Sequence, residues 1–213
     1  MLLLGSGRTA DVYALDDDWA LRRYREPWDT AREAAVMARL AGRGYPAPRV
    51  RSHGPAEIVL ERLRGPVMVE ALMDGTLQAG DAGVMLAGLL RDLHELDTVV
   101  HLDLHPENVI LTANGPVVID WSNARDGDPA LDRAVSALIL AEVAVGPRIE
   151  AAVAGEIMAS LVRSLPLPLD LDGALAMRAA NPTLSPEEKA MLDPAARLVA
   201  AALLAHPSGG QVA

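Results

Sequence analysis

The spacing of apolar residues changes near Gly65-Pro66, and this change limits the class of fold that the chain can adopt. Before it, short apolar runs between turn residues are typical of strands, and they enclose one Ala-rich segment with helical spacing. The predicted strands are residues 1–4, 12–15, 19–24 and 58–60, and the predicted helix is residues 31–40. After it, apolar residues at helical spacing predict helices over residues 84–96 and 131–145. We therefore predict a small antiparallel sheet with one helix, followed by a mostly helical part.

Two local signals place further elements in the helical part. Short apolar runs at residues 109–111 and 117–119 flank an Asn-Gly pair at 114–115, which favours a tight turn between antiparallel strands. The sequence SPEE at residues 185–188 combines an N-cap serine, a proline at the first helical position and a capping-box glutamate. We expect a hairpin at the first place and the start of a helix at the second.

The chain contains no cysteine, which excludes disulfides, cysteine-ligated zinc, iron–sulfur clusters and thiol nucleophiles. Its first residues, MLLLGSG, lack the basic region and the long apolar run of a secretory signal. The longest apolar stretches, residues 135–140 and 198–205, are much shorter than the roughly 20 residues that span a bilayer. We expect a cytoplasmic protein with no membrane partner.

The formal net charge of −10 argues against a general nucleic-acid binder, because phosphate contacts require a basic surface. The charge is also unevenly distributed. Residues 1–64 hold 11 Arg against 9 acidic residues, a balance of +2, whereas residues 65–213 hold 7 Arg and 1 Lys against 20 acidic residues, a balance of −12. Because Lys189 is the single lysine and lies far from any candidate motif, a role that lysine usually fills must fall to arginine.

The residues with the clearest chemistry lie between positions 101 and 120. The segment HLDLHPEN, residues 101–108, leads into the hairpin, which is followed by Asp120. Asp103, Asn108 and Asp120 offer oxygen ligands, and Mg²⁺ favours a few carboxylate and amide oxygens together with phosphate. A neighbouring carboxylate that does not bind the metal can orient a hydroxyl and accept its proton. Phosphoryl transfer to an alcohol requires this combination.

The same residues carry a resemblance to a known family. His101-x-Asp103 with Asn108 five positions later matches the H-x-D-x-x-x-x-N loop of kinases, and Asp120 stands where the D-F-G aspartate would be. The fuller strings, HLDLHPENVIL and VVIDW, resemble the aminoglycoside phosphotransferase family and related small-molecule kinases, whose usual forms are HGDLHPxN and IDW or IDF. The order of glycine loop, third strand, helix, apolar strand and hinge agrees with that family.

The resemblance implies a bilobal, protein-kinase-like α+β fold with a small antiparallel-sheet N-lobe and a mostly helical C-lobe. The implied nucleotide-binding N-lobe is residues 1–64 with a hinge near residues 61–65, and the implied catalytic and substrate-binding C-lobe is residues 65–213. The implied activity moves the γ-phosphoryl group of ATP or GTP, with Mg²⁺, to a hydroxyl of a small molecule.

The resemblance also implies roles for individual residues. The residues that would bind the nucleotide, through the glycine loop, the arginine and its partner, and the hinge backbone, are Gly5, Ser6, Gly7, Arg22, Glu33, Glu61 and Leu63. The residues that would act at the reacting atoms are Asp103 as the base, with Asn108 and Asp120 as metal ligands. The residues that would support the catalytic loop are His101, His105 and Asp132.

The sequence departs from the family pattern at several positions. Ala10 replaces the third glycine of G-x-G-x-x-G-x-V, and Leu102 stands where the family generally has glycine. Arg22 replaces the kinase lysine, and strand alternation places it on the face opposite Arg23. The segment GDPALD at residues 127–132 resembles the family's GDP-x-x-D, and the lack of an A-P-E sequence speaks against a protein kinase.

Glu33 has two interpretations. Thr30-x-x-Glu33 forms a capping box, so Glu33 can simply cap its own helix. If the helix begins at Pro27 instead, Glu33 lies a turn and a half inside it and can pair with Arg22.

The function also has alternatives. The alternation His101-x-Asp103-x-His105 would suit a zinc hydrolase, although Pro106 disfavours this. A degenerate kinase-like module that binds nucleotide or a partner without turnover is the principal alternative to the enzyme. The acidic second part of the chain favours a cationic acceptor such as an aminoglycoside or an amino alcohol. The sequence leaves open the identity of the acceptor, the choice between ATP and GTP, and the oligomeric state.

Overall fold

The computed structural model describes residues 1–147 and 149–205, and its N-terminal part is one antiparallel sheet. The five strands are β1 (Leu2–Ser6), β2 (Ala10–Ala14), β3 (Trp19–Tyr24), β4 (Val50–Gly54) and β5 (Glu57–Glu61). Their order across the sheet is β1-β2-β3-β5-β4, and every neighbouring pair is antiparallel. One helix, α1 (Thr30–Ala41), connects β3 to β4. The predicted sheet with one helix is confirmed.

The central strand β3 presents its two consecutive arginines to opposite faces of the sheet. Arg22 is buried and donates to Glu33 of α1. Arg23 is exposed and donates to its cross-strand neighbour Glu57 at 2.7 Å. The predicted strand register is confirmed, because side chains alternate along a strand and only Arg22 can reach the helix side.

Helix α1 begins at neither of the predicted positions. Its N-cap is Asp29, whose carboxylate accepts a backbone N–H of the first turn at 3.1 Å. The capping box between Thr30 and Glu33 is therefore wrong, and so is a start at Pro27. The Thr30 hydroxyl donates to the Gly54 carbonyl at the end of β4. Because Asp29 caps the helix, the Glu33 carboxylate is available to face β3.

The remainder of the described chain is mostly helical. Its helices are α2 (Met68–Met73), α3 (Ala79–Leu96), α4 (Pro129–Val145), α5 (Ala151–Ser164), α6 (Leu171–Ala179), α7 (Pro186–Ala190) and α8 (Leu192–Leu204). Short two-stranded sheets pair β6 (Val99–Val100) with β9 (Arg125–Asp126), and β7 (Val109–Thr112) with β8 (Gly115–Val118). The predicted α+β, kinase-like class is confirmed. Residues 148 and 206–213 of the predicted C-lobe lie outside the described residues.

The core of the helical part forms where α3 and α4 pack on α5, with α6 and α8 against α4. The approach of α3 to α5 is so close that a Cβ on Gly83 would lie 2.6 Å from the Ile157 carbonyl oxygen. Most of the first three turns of α4 is buried, as its apolar run predicts. Among the described residues, no helix is both long enough and apolar enough to cross a membrane.

The hairpin of β7 and β8 turns one residue earlier than predicted. Thr112 pairs with Gly115, so the two residues between them are Ala113 and Asn114, and Gly115 already belongs to β8. The Thr112 hydroxyl donates to the Gly115 carbonyl at 2.8 Å and accepts the Asn114 N–H at 3.1 Å. Gly115, the first residue of β8, has a φ of +115°, a conformation that favours glycine. Glycine is therefore required at the start of the strand and not in the turn itself.

Gly65 lies where the chain leaves the sheet for the helical part. Its φ is +146°, and a Cβ at this position would overlap the Leu111 carbonyl. The neighbouring Pro66 carbonyl accepts the Leu111 N–H at 2.9 Å, and Val67 forms a bridge to Ile110. The connection is therefore attached to β7, and only glycine fits at its closest point.

We predict that Gly65→Ala destabilises the protein more than Gly75→Ala does. Gly75 also has a positive φ, +78°, but no atom within 4 Å of its ideal Cβ. A left-handed backbone costs alanine about 1–2 kcal/mol, and overpacking adds about 1–3 kcal/mol at Gly65 only. Urea unfolding of both variants measures the difference. Equal losses of unfolding free energy in the two variants would mean that the overlap with the Leu111 carbonyl does not destabilise Gly65→Ala.

Candidate active site

A buried carboxylate holds the start of the loop that follows β6. Asp132, in the first turn of α4, is fully buried and accepts the backbone N–H groups of His101 at 2.8 Å and Leu102 at 2.6 Å. His94 of α3 lies with its Nε2 2.9 Å from the same carboxylate. Three donor groups from two segments thus satisfy a buried charge that would otherwise be costly. Asp132 therefore fixes the backbone immediately before Asp103.

Leu102 adopts the left-handed region, with a φ of +62°, and its side chain is buried. This conformation costs a leucine about 1–2 kcal/mol relative to the right-handed region. The backbone bond to Asp132 and the burial of the side chain in the core oppose that cost. A glycine at this position, as in the family's usual motif, would adopt the same backbone without a Cβ penalty.

The loop of residues 101–108 and the end of β8 are joined through His101 and Asn108. The His101 ring lies with its Nε2 3.1 Å from the Ile119 carbonyl, and its edge contacts the Trp121 ring at 4.7 Å between centroids. The Ile119 N–H donates to the Asn108 carbonyl at 2.9 Å. Asn108 in turn donates from its side-chain amide to the Asp103 carbonyl at 2.8 Å. Residues 103, 108 and 120 are therefore brought together, as the predicted site requires.

Asp120 also has a left-handed backbone, with a φ of +61°, at the start of a single 3-10 turn. Its Oδ1 accepts Arg22 Nη2 at 2.7 Å and the Ser122 hydroxyl at 2.7 Å. Burial opposes ionisation of this carboxyl, but the Arg22 charge and these two hydrogen bonds outweigh burial and lower its pKa. Asp120 is therefore charged at neutral pH and paired with the sheet.

Arg22 occupies a position between two carboxylates and an aromatic ring. Its Nη1 donates to Glu33 at 3.1 Å, and its guanidinium lies 4.9 Å from the centroid of the Tyr24 ring. The Tyr24 hydroxyl donates to the other Glu33 oxygen, and the Tyr24 ring stacks on Trp28 at 5.3 Å. Burial raises the pKa of Glu33, while Arg22 and the Tyr24 hydrogen bond oppose that shift. Sequence reasoning missed Tyr24, although its i+2 position puts it on the face of Arg22.

The predicted glycine turn at residues 5–7 is wrong in position, because Gly5 and Ser6 belong to β1 and residues 7–9 connect β1 to β2. Arg25 contacts this connection, which together with Gly5 and Ser6 is called the glycine loop. Arg25 Nη1 donates to the carbonyls of Gly7 and Arg8, each at 2.8 Å. The Ser6 hydroxyl donates to Asp11 at 2.6 Å, and Asp11 also accepts from Arg25 Nη2 at 2.5 Å. Sequence reasoning missed Arg25. Within the loop, the Gly7 N–H donates to the Ala10 carbonyl at 2.9 Å, which closes the turn.

Ala10 takes the place of the third motif glycine without strain. It is a buried residue of β2, paired with Tyr24 of β3, and its φ is not positive. A regular strand position makes no demand for glycine, so the departure at this position does not disturb the loop.

The two predicted hinge residues differ in their backbone bonding. The Glu61 N–H already donates to the Arg49 carbonyl at 2.8 Å, and the Glu61 carboxylate accepts Arg49 Nε at 3.1 Å. Leu63 lies just beyond β5, and no hydrogen bond joins its backbone to another residue of the described ranges. The backbone of Leu63 is therefore more available than that of Glu61 for hydrogen bonds to a nucleotide's purine ring.

Asp103 lies half-buried, with its side chain 28% exposed, and His105 Nε2 is 3.8 Å from its Oδ1. Burial raises the pKa of Asp103, and the neighbouring His105 and His101 rings oppose that shift. The positive charge of Arg178 on α6 also opposes the rise in the pKa of Asp103. Arg178 binds Glu142 of α4 through two hydrogen bonds, of 2.8 and 2.7 Å. No sequence pattern indicates this pair, because α6 is brought to the site only by helix packing.

The histidines have other partners than a shared metal. His94 faces Asp132, His101 faces the Ile119 carbonyl, and His105 Nε2 lies 3.3 Å from the Asn108 amide, which can only donate. Burial lowers the pKa of His105, which suits this accepting, neutral ring. Within residues 1–147 and 149–205, no three His, Cys, Asp or Glu side chains are grouped as metal ligands.

The sequence model of the phosphotransferase enzyme family matches residues 1–99 and 97–162, a span that includes Arg22, Asp103, Asn108 and Asp120. The chain belongs to this family. The resemblance to aminoglycoside phosphotransferase-like kinases is thereby confirmed. The family match ends within α5, so α6, α7 and α8 lie beyond it.

Two curated proteins are similar to part of the chain. The probable serine/threonine-protein kinase PkwA of Thermomonospora curvata is 29% identical over 125 residues, which is 56% of this chain and 16% of that protein. The EKC/KEOPS complex subunit BUD32 of Encephalitozoon cuniculi (strain GB-M1) is 32% identical over 120 residues, 55% of this chain and 57% of that protein. The chain thus spans less than two thirds of either relative, and both similarities support a kinase-like phosphotransferase.

We predict that glycine is better tolerated than alanine at position 102. Both variants lose the buried leucine side chain, but alanine keeps the left-handed cost of about 1–2 kcal/mol, against about 0.5–1 kcal/mol for glycine's extra chain entropy. Chemical denaturation of Leu102→Gly and Leu102→Ala measures this order. At the buried Leu104, where φ is not positive, alanine should be the better tolerated residue. The same order at both positions would contradict strain at Leu102.

We predict that Tyr24→Phe destabilises the protein by about 1–3 kcal/mol, because it leaves a buried Glu33 oxygen without its donor. Tyr13→Phe is the matched control, since the Tyr13 ring lies beside the exposed Arg23 at 5.9 Å from its centroid. That control should stay within about 0.5 kcal/mol of the wild type. Thermal and urea unfolding compare the two, and an unchanged Tyr24→Phe variant would mean that the hydroxyl contributes nothing.

Proposed function

We propose that this protein is a Mg²⁺-dependent kinase that moves the γ-phosphoryl group of ATP or GTP to a hydroxyl of a small molecule. The observation that carries the proposal is the junction of the two parts of the fold at Arg22. One bond joins Arg22 to Asp120, and the Ile119–Asn108 and Asn108–Asp103 bonds continue from there to the catalytic loop. These contacts support a single site to which the sheet would bring the nucleotide and the loop would bring a carboxylate base.

Asp103 is the proposed base. Its carboxylate would orient the acceptor hydroxyl and accept its proton as the new oxygen–phosphorus bond forms and the bond to the leaving diphosphate breaks. The raised pKa of Asp103 makes the carboxylate a better proton acceptor than an exposed aspartate. Arg22 would hold phosphate oxygens in place of the usual lysine, and Glu33 and Tyr24 would hold Arg22.

The donor set fits magnesium. The Asp120 Oδ2 and the Asn108 Oδ1 accept no hydrogen bond from any described residue, while the other polar atoms of both side chains are engaged. One carboxylate and one amide oxygen, completed by phosphate and water, suit Mg²⁺ rather than a metal that needs a full protein cage. When bound, the ion would neutralise phosphate charge; Asn108 and Asp120 would hold it.

We further propose an amine-bearing alcohol as the acceptor. The supporting observation is that residues 65–213 sum to −12 in formal charge, and a cleft lined by one sign of charge concentrates the opposite ion. Arg178 does not reverse this sign, because Glu142 neutralises it directly. A cytoplasmic location and the absence of nucleic-acid and membrane partners stay predictions.

A second candidate is a kinase-like module that binds nucleotide or a protein partner without turnover. The similarity to a protein named as a complex subunit favours it, and so does the strained Leu102 in place of the motif glycine. The similarity to a probable serine/threonine-protein kinase likewise makes a protein hydroxyl an acceptor to test.

Mg²⁺-dependent ADP or GDP release, measured with cationic alcohols, neutral sugars and serine- or threonine-containing peptides, tests the proposal. Asp103→Ala should lower kcat by ~10²-fold or more with little change in nucleotide affinity, since the base acts only during transfer. Asp120→Asn should weaken nucleotide binding in Mg²⁺ but not in its absence. Nucleotide binding without turnover on any acceptor would support the second candidate instead.

The pH dependence provides a second readout of the base. Because burial raises the pKa of Asp103, its active, ionised form is lost as the pH falls through that raised value. The acidic limb of kcat/KM should therefore lie at a higher pH than an ordinary aspartate would give. An acidic limb at or below the ordinary pKa of 3.8 would exclude Asp103 as the titrating base.

A further inference from the structure

A salt bridge joins the glycine loop to the far end of the described chain. Arg8, which follows Gly7 at the tip of the loop, donates through Nη2 to Glu188 Oε1 at 2.9 Å. The two residues are 180 positions apart in the sequence, and Glu188 lies in α7, beyond the part of the chain that matches the family. The contact therefore joins the matched part of the chain to a residue beyond it.

Glu188 is held in place before it meets Arg8. Its Oε2 accepts the Ser185 N–H at 2.8 Å, and its own N–H donates to the Ser185 hydroxyl at 3.2 Å, which completes a capping box. Leu184, immediately before the cap, is buried and anchors the segment. The two oxygens of the Glu188 carboxylate thus have different partners, because Oε2 accepts the N–H at the N-cap of α7 and Oε1 accepts Arg8 of the glycine loop.

The loop side of the contact is equally constrained. Arg25 donates to the Gly7 and Arg8 carbonyls, so the backbone that carries Arg8 is fixed at the point where its side chain extends toward α7. The negative charge of Glu188 also helps to raise the pKa of Arg178. Arg178 in turn opposes the rise in the pKa of Asp103.

We propose that Glu188 is a positioning residue that holds the glycine loop over the nucleotide through Arg8. The inference rests on the proposed function, because it takes the loop as the cover of the phosphates. The side chains are 66% exposed at Arg8 and 27% at Glu188, and such pairs contribute about 0.2–1 kcal/mol. That range corresponds to about a 1.5- to 5-fold effect on nucleotide binding.

Glu188→Gln tests the proposal without removing the helix cap, because glutamine also serves at the third position of a capping box. The nucleotide KM and the nucleotide dissociation rate should each rise by about 1.5- to 5-fold, with kcat and the melting temperature little changed. Glu187→Gln removes the same charge from an exposed neighbour on the same helix and should leave the nucleotide KM at the wild-type value.

A double-mutant cycle with Arg8→Gln isolates the pair. If the bridge acts as proposed, Glu188→Gln should have no further effect on the nucleotide KM in the Arg8→Gln background. The difference between Glu188→Gln and the wild type should also shrink in 0.5 M salt, to roughly half or less, since exposed charges are then screened.

The outcomes separate the two levels of the proposal. Failure of the wild-type protein to bind ATP or GTP in titration calorimetry would overturn the proposed function itself. Normal nucleotide binding with an unchanged KM in Glu188→Gln, or with equal changes in Glu187→Gln, would overturn the positioning role alone. Additive effects of Glu188→Gln and Arg8→Gln would likewise show that the two side chains act separately.

Discussion

The geometry of the candidate site depends on the buried carboxylate of Asp132. Its two bonds to the backbone at 101 and 102 hold Leu102 in a left-handed conformation that a leucine would otherwise avoid. Asp103, which follows this turn, has a side chain that is 28% exposed, and the His101 ring faces the strand end at Ile119. A buried charge without donors would be costly, so the loop and the carboxylate stabilise each other.

A second constraint comes from α1, which is attached to both parts of the fold. Glu33 near its start binds Arg22 of the sheet, while Arg39 near its end binds Asp97 and Asp126 of the helical part. Because a helix transmits position along its axis, the Glu33 carboxylate is placed relative to Asp120 by contacts more than one turn away. The Arg22 guanidinium thus lies between two carboxylates, one on α1 and one just after β8.

Much of the site could be predicted because its residues lie close together in the chain. Asp103 and Asn108 share one loop, and Asp120 follows the next hairpin, so their residue types and the kinase-like motif predicted one common site. Residues outside that segment were harder: Tyr24 gave only the weak signal of an alternating strand, and Arg178 gave none. The start of α1 was also misjudged, since the competing caps at Asp29 and Thr30 differ by a single residue and only the packed structure selects between them.

The sequence by itself determined four of the five strands of the first sheet, the helix among them, the family motif and the opposite faces of Arg22 and Arg23, because these follow from local periodicity and spacing. Only the tertiary structure decided which distant groups meet. The Glu33 carboxylate faces Arg22 and Tyr24, Arg178 faces Glu142, and Glu188 of α7 reaches the glycine loop. Such contacts form because helices and strands pack together to bury apolar surface. The hydrophobic effect has no preferred direction, so the order of charged residues along the chain does not predict which of them will meet.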